Sequence, residues 1–182
     1  MSINICLAGA TGWAGSELAR AIAKTSDLAV VAAVARKQAG RVLGDVLGEP
    51  RLTGRIHASA AEALAVPCEV FVEYTKPDSA KANIMAALEH GAHVVVGTSG
   101  LTESDYAEID ACARNRNRGV LACGNFALTA VLLIKFSEMA AKILPQWEII
   151  DYAYAGKPDA PSGTVRELAK RLGRQRQPVL EV

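Results

Sequence analysis

The chain has 182 residues, 51% of them hydrophobic and 21% charged, with a formal net charge of +1. That length suits one domain or one and a half at ~100–200 residues each, and the balance of charge gives no electrostatic case for nucleic acid or a membrane surface as partner. Aromatic residues, at 5%, are too sparse for base-stacking platforms, and no apolar run approaches the ~20 residues that span a bilayer.

The amino-terminal MSINICLAGATG reads as a strand, Ile3–Ala8, running straight into a glycine loop. It has no basic start and no small-residue cleavage site, so a cytoplasmic protein without a signal peptide is expected. Cys6, Cys68, Cys112 and Cys123 lie far apart, and three of them sit in or beside apolar runs, which suits reduced thiols in a cytosol. Trp13–Thr25 reads as a helix, and Leu28–Ala35 as a strand with both faces buried, because no polar residue interrupts it. Residues 36–55 read as loop with a short helix, after which Ser59 is placed to cap a short Ala-rich helix. Val70–Tyr74 is a strand, Asp78–His90 a helix capped by Asp78, and His93–Val96 a further strand. Thr102 and Asp105 open the helix Glu103–Arg114 in the manner of a capping box, and Gly119–Cys123 is a short strand. Thr129–Leu144 is a long helix stopped by Pro145, followed by a strand at Glu148–Tyr154, a helix at Ser162–Leu172 and the start of a strand at Val179–Val182. The alternation predicts an α/β class, a parallel sheet wound on both faces, over residues 1–126. The beginning of an α+β domain for substrate binding and oligomerisation is expected over 127–182. A sheet left with only Glu148–Tyr154 and a stub at Val182 would expose an unpaired edge, so a longer polypeptide is expected.

Leu7-Ala8-Gly9-Ala10-Thr11-Gly12-Trp13-Ala14-Gly15 follows a strand and opens a helix. The first glycine permits a tight turn, Gly12 lets a pyrophosphate approach backbone N–H groups at the positive helix end, and Gly15 lets helix and sheet pack closely. A Rossmann-type dinucleotide site follows from this placement, with Gly9, Thr11, Gly12, Trp13, Ala14 and Gly15 as its residues. NAD-preferring sites carry an acid at the end of the second strand, ~20 residues beyond the loop. Here Val34-Ala35-Arg36-Lys37 stands there, and the two cations suit a 2′-phosphate, with Arg36 able to grip it bidentately. NADPH is therefore the expected cofactor, with NADH as a second possibility.

Four more segments carry a particular resemblance: Phe71-Val72-Glu73-Tyr74-Thr75-Lys76-Pro77, Val96-Gly97-Thr98-Ser99-Gly100, Cys123-Gly124-Asn125-Phe126, and Lys157-Pro158-Asp159-Ala160-Pro161-Ser162-Gly163-Thr164. In this order they resemble the dihydrodipicolinate reductases of bacterial lysine biosynthesis, over essentially the whole chain. The resemblance implies a Rossmann domain, a second domain bearing the substrate site, a homotetramer, and hydride delivery from NAD(P)H to a cyclic imine dicarboxylate. It implies that Thr75, Gly97, Thr98, Asn125 and Phe126 lie beside the nicotinamide. Lys157 is implied as catalytic proton donor and substrate cation, and Ser162, Gly163 and Thr164 as the cradle of a substrate carboxylate at a helix start.

Two departures stand out. The family's His-His pair is replaced by Ala153 and Tyr154, and the loop arginine by Trp13. Tyr154 becomes a candidate hydrogen-bond donor in catalysis, although a phenol of pKa ~10 is a poorer acid near neutrality than an imidazole of ~6.5. His90 and His93, at a helix end and a strand start, are not read as metal ligands. Three readings stay open: the named reductase, a paralogous reductase of another cyclic imine or carbonyl acid, and a non-catalytic dinucleotide-binding protein. Retention of Lys157 and Ser162–Thr164 argues against the last.

Overall fold

The computed structural model describes residues 2–153 and 160–175. The chain divides into two compact units, Met1–Ala122 and Cys123–Val182. In the first unit, β1 (Ile3–Ala8) leads through the glycine loop to α1 (Trp13–Ala23), and β2 (Leu28–Val34) to a single 3₁₀ turn at Arg36–Gln38. Then come α2 (Leu43–Leu47), β3 (Arg55–His57), α3 (Ala60–Ala63), β4 (Val70–Glu73), α4 (Pro77–Glu89), β5 (His93–Val96), α5 (Glu103–Arg116) and β6 (Val120–Ala122). The six strands form one parallel sheet in the order β3-β2-β1-β4-β5-β6. The order reverses between β1 and β4, and in such sheets ligands bind outside the carboxyl ends of the strands at that point.

Alternation along the strands builds a core on each face of the sheet. Cys6, Ala8, Phe71 and Val94 point to one face and pack with Ile84 and Leu88 of α4 and Ile109 of α5. Ile5, Leu7 and Val72 point to the other and pack with Ala19 and Ile22 of α1 and with Leu43 and Leu52. The second unit contains α6 (Leu128–Ala141) and α7 (Gly163–Gln175), joined by an ion pair from Arg171 to Glu138 at 3.4 Å. Along α6, Leu128, Leu133, Phe136 and Met139 are exposed.

Three expectations change. At the end of the stretch read as loop, and running two residues past it, Arg55–His57 form β3, a strand not expected, with Ile56 its one buried residue. Asp78 does not cap α4: Lys76 holds the cap position without a side-chain bond, and Pro77 is the first helical residue. Proline forces its predecessor into extended backbone and needs no partner for a missing N–H, so it sets the boundary one residue before Asp78. Residues 148–153 form no strand, because no other segment among the described residues pairs with them. Val179–Val182 lies outside the described residues.

The other two cap signals hold up. The Ser59 side chain accepts from the Glu62 N–H, and Thr102 and Asp105 form a reciprocal capping box. Lys81 of α4 reaches Asp105 at 3.0 Å and Glu108 at 2.7 Å. The Thr102 hydroxyl, the Thr102 N–H and then Lys81 hold the Asp105 carboxyl down at about 2. The folded value lies below the ordinary one of ~3.9. This contribution to stability is therefore complete above that ordinary value and is lost as pH falls through it toward about 2. Thr102→Val should move the Asp105 titration back toward the ordinary value and flatten the acid arm of the stability curve in that window. Carboxyl NMR titration checks the first effect and acid unfolding the second; an unmoved Asp105 would show that the hydroxyl is not the cause.

Candidate functional site: a glycine loop and two strand-end loops

Each glycine of the loop meets a different demand. Gly9 has φ +77°, and a Cβ there would lie 2.2 Å from the Tyr74 carbonyl oxygen. A Cβ on Gly15 would lie 2.2 Å from the Gly9 oxygen, so α1 sits as close to the strand end as backbone allows. Gly12 differs: its backbone is ordinary (φ −76°, ψ 170°), it is exposed, and a Cβ would meet only the Gly9 oxygen, at 3.2 Å. Folding thus demands glycine at 9 and 15 far more than at 12, where a side chain would chiefly cover the outer side of the loop. Helix α1 starts there with no side-chain cap and no acid in its first turn. Its first N–H groups point outward at the positive end of the dipole, which fits a pyrophosphate. Trp13, the first helical residue, is 91% exposed.

Gly9→Ala should destabilise the protein by about 2–3 kcal/mol, from a left-handed backbone and a displaced β4 end together. Gly12→Ala should cost less than ~1 kcal/mol, a surface change without backbone strain. Urea unfolding of both variants measures this contrast, and equal losses would contradict it.

Beyond β2, the Ala35 N–H donates to the His57 carbonyl at 3.0 Å, and Arg36 and Lys37 open the 3₁₀ turn, both exposed. Among the described residues neither has an ion pair, and no carboxylate occupies the strand end.

The loops after β4 and β5 meet at a group that the sequence reading passed over. Glu73 is fully buried, and with Thr98 it makes up the buried polar side chains among the described residues. Its Oε1 accepts the Thr75 N–H at 2.6 Å, the Thr75 hydroxyl, and the Thr98 hydroxyl at 3.3 Å. Its Oε2 accepts from the Asn83 amide of α4 at 2.9 Å. Gly97 completes the junction: a Cβ there would fall 2.2 Å from the Tyr74 ring. Thr75, Gly97 and Thr98 are thus brought together at the carboxyl ends of adjacent strands.

In the second unit, Asn125 accepts from the Thr164 hydroxyl at 2.9 Å and donates to Glu167 at 3.3 Å. Phe126 is half exposed. The Ser162 hydroxyl caps α7 by accepting the Val165 N–H at 3.3 Å. The Ser162 N–H donates to the Asp151 carboxylate at 2.7 Å, so a carboxylate of the chain itself already sits at the helix start where a substrate carboxylate is expected. Gly163 and Thr164 form the first turn beside it. Tyr154 and Lys157 lie outside the described residues. Asp151 and Glu73 are the residues that pattern reading missed; only the neighbouring Thr75 of the quoted Glu73-Tyr74-Thr75 segment pointed toward the second.

A parallel sheet with this reversal, this loop and an uncapped helix start defines the class of dinucleotide-binding Rossmann proteins. Residues 3–126 match the family described as dihydrodipicolinate reductase, N-terminus. The chain belongs to that family. It is 34% identical over 177 residues to the 4-hydroxy-tetrahydrodipicolinate reductase of Bacillus cytotoxicus, covering 97% of this chain and 66% of that protein. The Bacillus cereus reductase gives 34% over 176 residues, 96% of this chain and 66% of that protein. The chain therefore spans just under two thirds of these relatives. The dipicolinate-bound dihydrodipicolinate reductase of Paenisporosarcina sp. TG-14 superposes with a TM-score of 0.77 at 26% identity, over 100% of this chain and 69% of that one.

Proposed function

We propose that this protein reduces 4-hydroxy-tetrahydrodipicolinate to tetrahydrodipicolinate in lysine and diaminopimelate biosynthesis, with NADPH as preferred donor and NADH as a weaker one. The observation that carries the reading is the glycine-lined, uncapped start of α1 at the sheet reversal, in a chain of this family. A bound nicotinamide dinucleotide supplies the hydride for the cyclic imine left when water departs. Gly9–Gly15 seat the pyrophosphate, and Arg36 with Lys37 meets the 2′-phosphate. Thr75, Gly97 and Thr98, with Asn125 and Phe126, border the nicotinamide. Lys157 offers a cation and a proton to the substrate, and Ser162, Gly163 and Thr164 hold a carboxylate beside Asp151. The exposed apolar side chains of α6 favour a contact surface between subunits of a homotetramer. A cytoplasmic location accords with the reaction and with the absence, among the described residues, of any helix long and apolar enough to cross a membrane.

A second reading, a reductase of another cyclic imine or carbonyl acid, draws on Ala153 and Tyr154 standing where relatives have histidines. A coupled assay with freshly generated hydroxy-tetrahydrodipicolinate, followed by loss of NADPH absorbance, separates the two. Turnover supports the first reading. NADPH binding without turnover, and without rescue of a lysine-requiring reductase deletion strain, overturns the first, and turnover of another cyclic imine or carbonyl acid then supports the second.

A further inference from the structure

We propose that Glu73 is a positioning residue for the nicotinamide half of the cofactor site, tying the β4 and β5 loops into one surface. This rests on the dinucleotide reading above and goes beyond it by assigning a role to a side chain that faces the core. The face of β4 that carries Glu73 is apolar at Phe71 and changes to a carboxylate only at the last strand residue, where the sheet meets its crevice. Burying a carboxyl group is costly unless hydrogen bonds replace water, and among the described residues Glu73 has no cationic partner to offset that cost. All its acceptor capacity is spent on neutral donors: the Thr75 N–H and hydroxyl, the Thr98 hydroxyl and the Asn83 amide. An apolar residue would serve the core at lower cost. What it would not do is bond Thr75 and Thr98 to one oxygen atom.

The residue next along extends the tie. The Tyr74 carbonyl abuts Gly9 and its ring abuts Gly97, so the end of β4 adjoins the glycine loop as well as the β5 loop. Asn83 braces Glu73 from α4, away from the crevice, and also reaches the Thr75 hydroxyl at 3.5 Å. Thr75 and Thr98 are the residues assigned above to the nicotinamide, whereas the adenosine phosphates fall to Gly9–Gly15 and Arg36. Loss of Glu73 should therefore weaken one half of the cofactor and spare the other.

The test compares the dissociation constants of NADPH and of adenosine 2′,5′-bisphosphate, which lacks the nicotinamide, by titration calorimetry. Glu73→Ala should weaken NADPH ~10-fold or more, since one buried and three part-buried hydrogen bonds lose their acceptor, and leave the bisphosphate within about twofold. Glu73→Gln should restore NADPH binding, because its carbonyl serves both threonines while the Asn83 amide turns its oxygen to the new NH₂. Asn83→Ala, at a half-buried helix position, should give a smaller loss with the same selectivity, and carries the test should Glu73→Ala fail to fold. Parallel loss of both ligands, or unchanged NADPH binding, in the folded variants would overturn the positioning role while leaving the dinucleotide reading intact. Wild-type protein that binds neither ligand would overturn both.

Discussion

Lys157→Met is expected to lower turnover of the imine dicarboxylate by on the order of 10²–10⁴-fold, the range for losing a positioned proton donor, with NADPH affinity unchanged. Methionine keeps much of the length and apolar stem of lysine but removes both charge and acidic proton. On the role proposed for Lys157 two losses then add: the reduced substrate loses its proton donor, and a substrate carboxylate loses a cation. The second loss can be isolated with 2,6-pyridinedicarboxylate, a planar dicarboxylate that undergoes no hydride transfer. Its inhibition constant should rise ~10-fold or more, the worth of one charge-assisted contact. Asp151 sharpens the expectation, because it already places negative charge on the Ser162 N–H. A dicarboxylate arriving there needs a compensating cation, and the motif at 157–164 offers Lys157 for it. An unaltered inhibition constant in Lys157→Met would remove this lysine from the substrate site. Unaltered turnover would remove it from the chemistry.

How much of this was legible in the sequence follows from the range of each interaction. β1, the glycine loop and α1 are contiguous, so a buried run, three glycines and a helical stripe were enough to place them. Ser59 with Glu62 and Thr102 with Asp105 are bonds between residues three apart, within reach of pattern reading. β3 was invisible because only Ile56 of its three residues is buried, and an edge strand flanked by Arg55 and His57 shows no alternation long enough to count. The segment at 148–153 has the apolar residues of a strand, but ladder formation depends on a partner, which no local pattern reports. Glu73 is the clearest case of tertiary information. A glutamate ending a strand reads as solvated, and only the fold brings Asn83 and Thr98, 10 and 25 residues further on, to its oxygens. Asp151 and Ser162 stand 11 residues apart, beyond the reach of local pattern reading. The roles of Asn125, Phe126 and Ser162–Thr164 came from family resemblance, not from spacing, since no periodicity singles them out.

Arg36→Glu is expected to reverse the cofactor preference. Position 36 lies two residues beyond the end of β2, at the point where NAD-preferring sites present an acid to the ribose 2′-hydroxyl. Here the Ala35 N–H is bonded to β3, which fixes the backbone at the strand end and leaves the exposed Arg36 side chain without an ion pair among the described residues. A guanidinium in that place matches a 2′-phosphate with two parallel N–H···O contacts, whereas Lys37 adds only a point charge. Glutamate removes those contacts and sets like charge against the phosphate. Charge-assisted hydrogen bonds contribute ~1.5–3 kcal/mol, and repulsion adds to their loss, so NADPH affinity should fall ~30–1000-fold. NADH has no 2′-phosphate to repel, and the new carboxylate can accept from its 2′-hydroxyl, so its affinity should hold or rise. The two effects differ in salt dependence as well. Raising ionic strength from 0.01 to 0.1 M shortens the screening length from ~30 to ~10 Å, which should narrow the wild-type gap between NADPH and NADH and partly relieve the repulsion in the variant. Lys37→Glu should give a smaller loss in the same direction, since its ammonium lacks the planar fork. Calorimetric titrations of both cofactors against the three proteins decide the matter. If Arg36→Glu changed NADPH and NADH affinity equally, the discrimination would have to reside elsewhere than the end of β2.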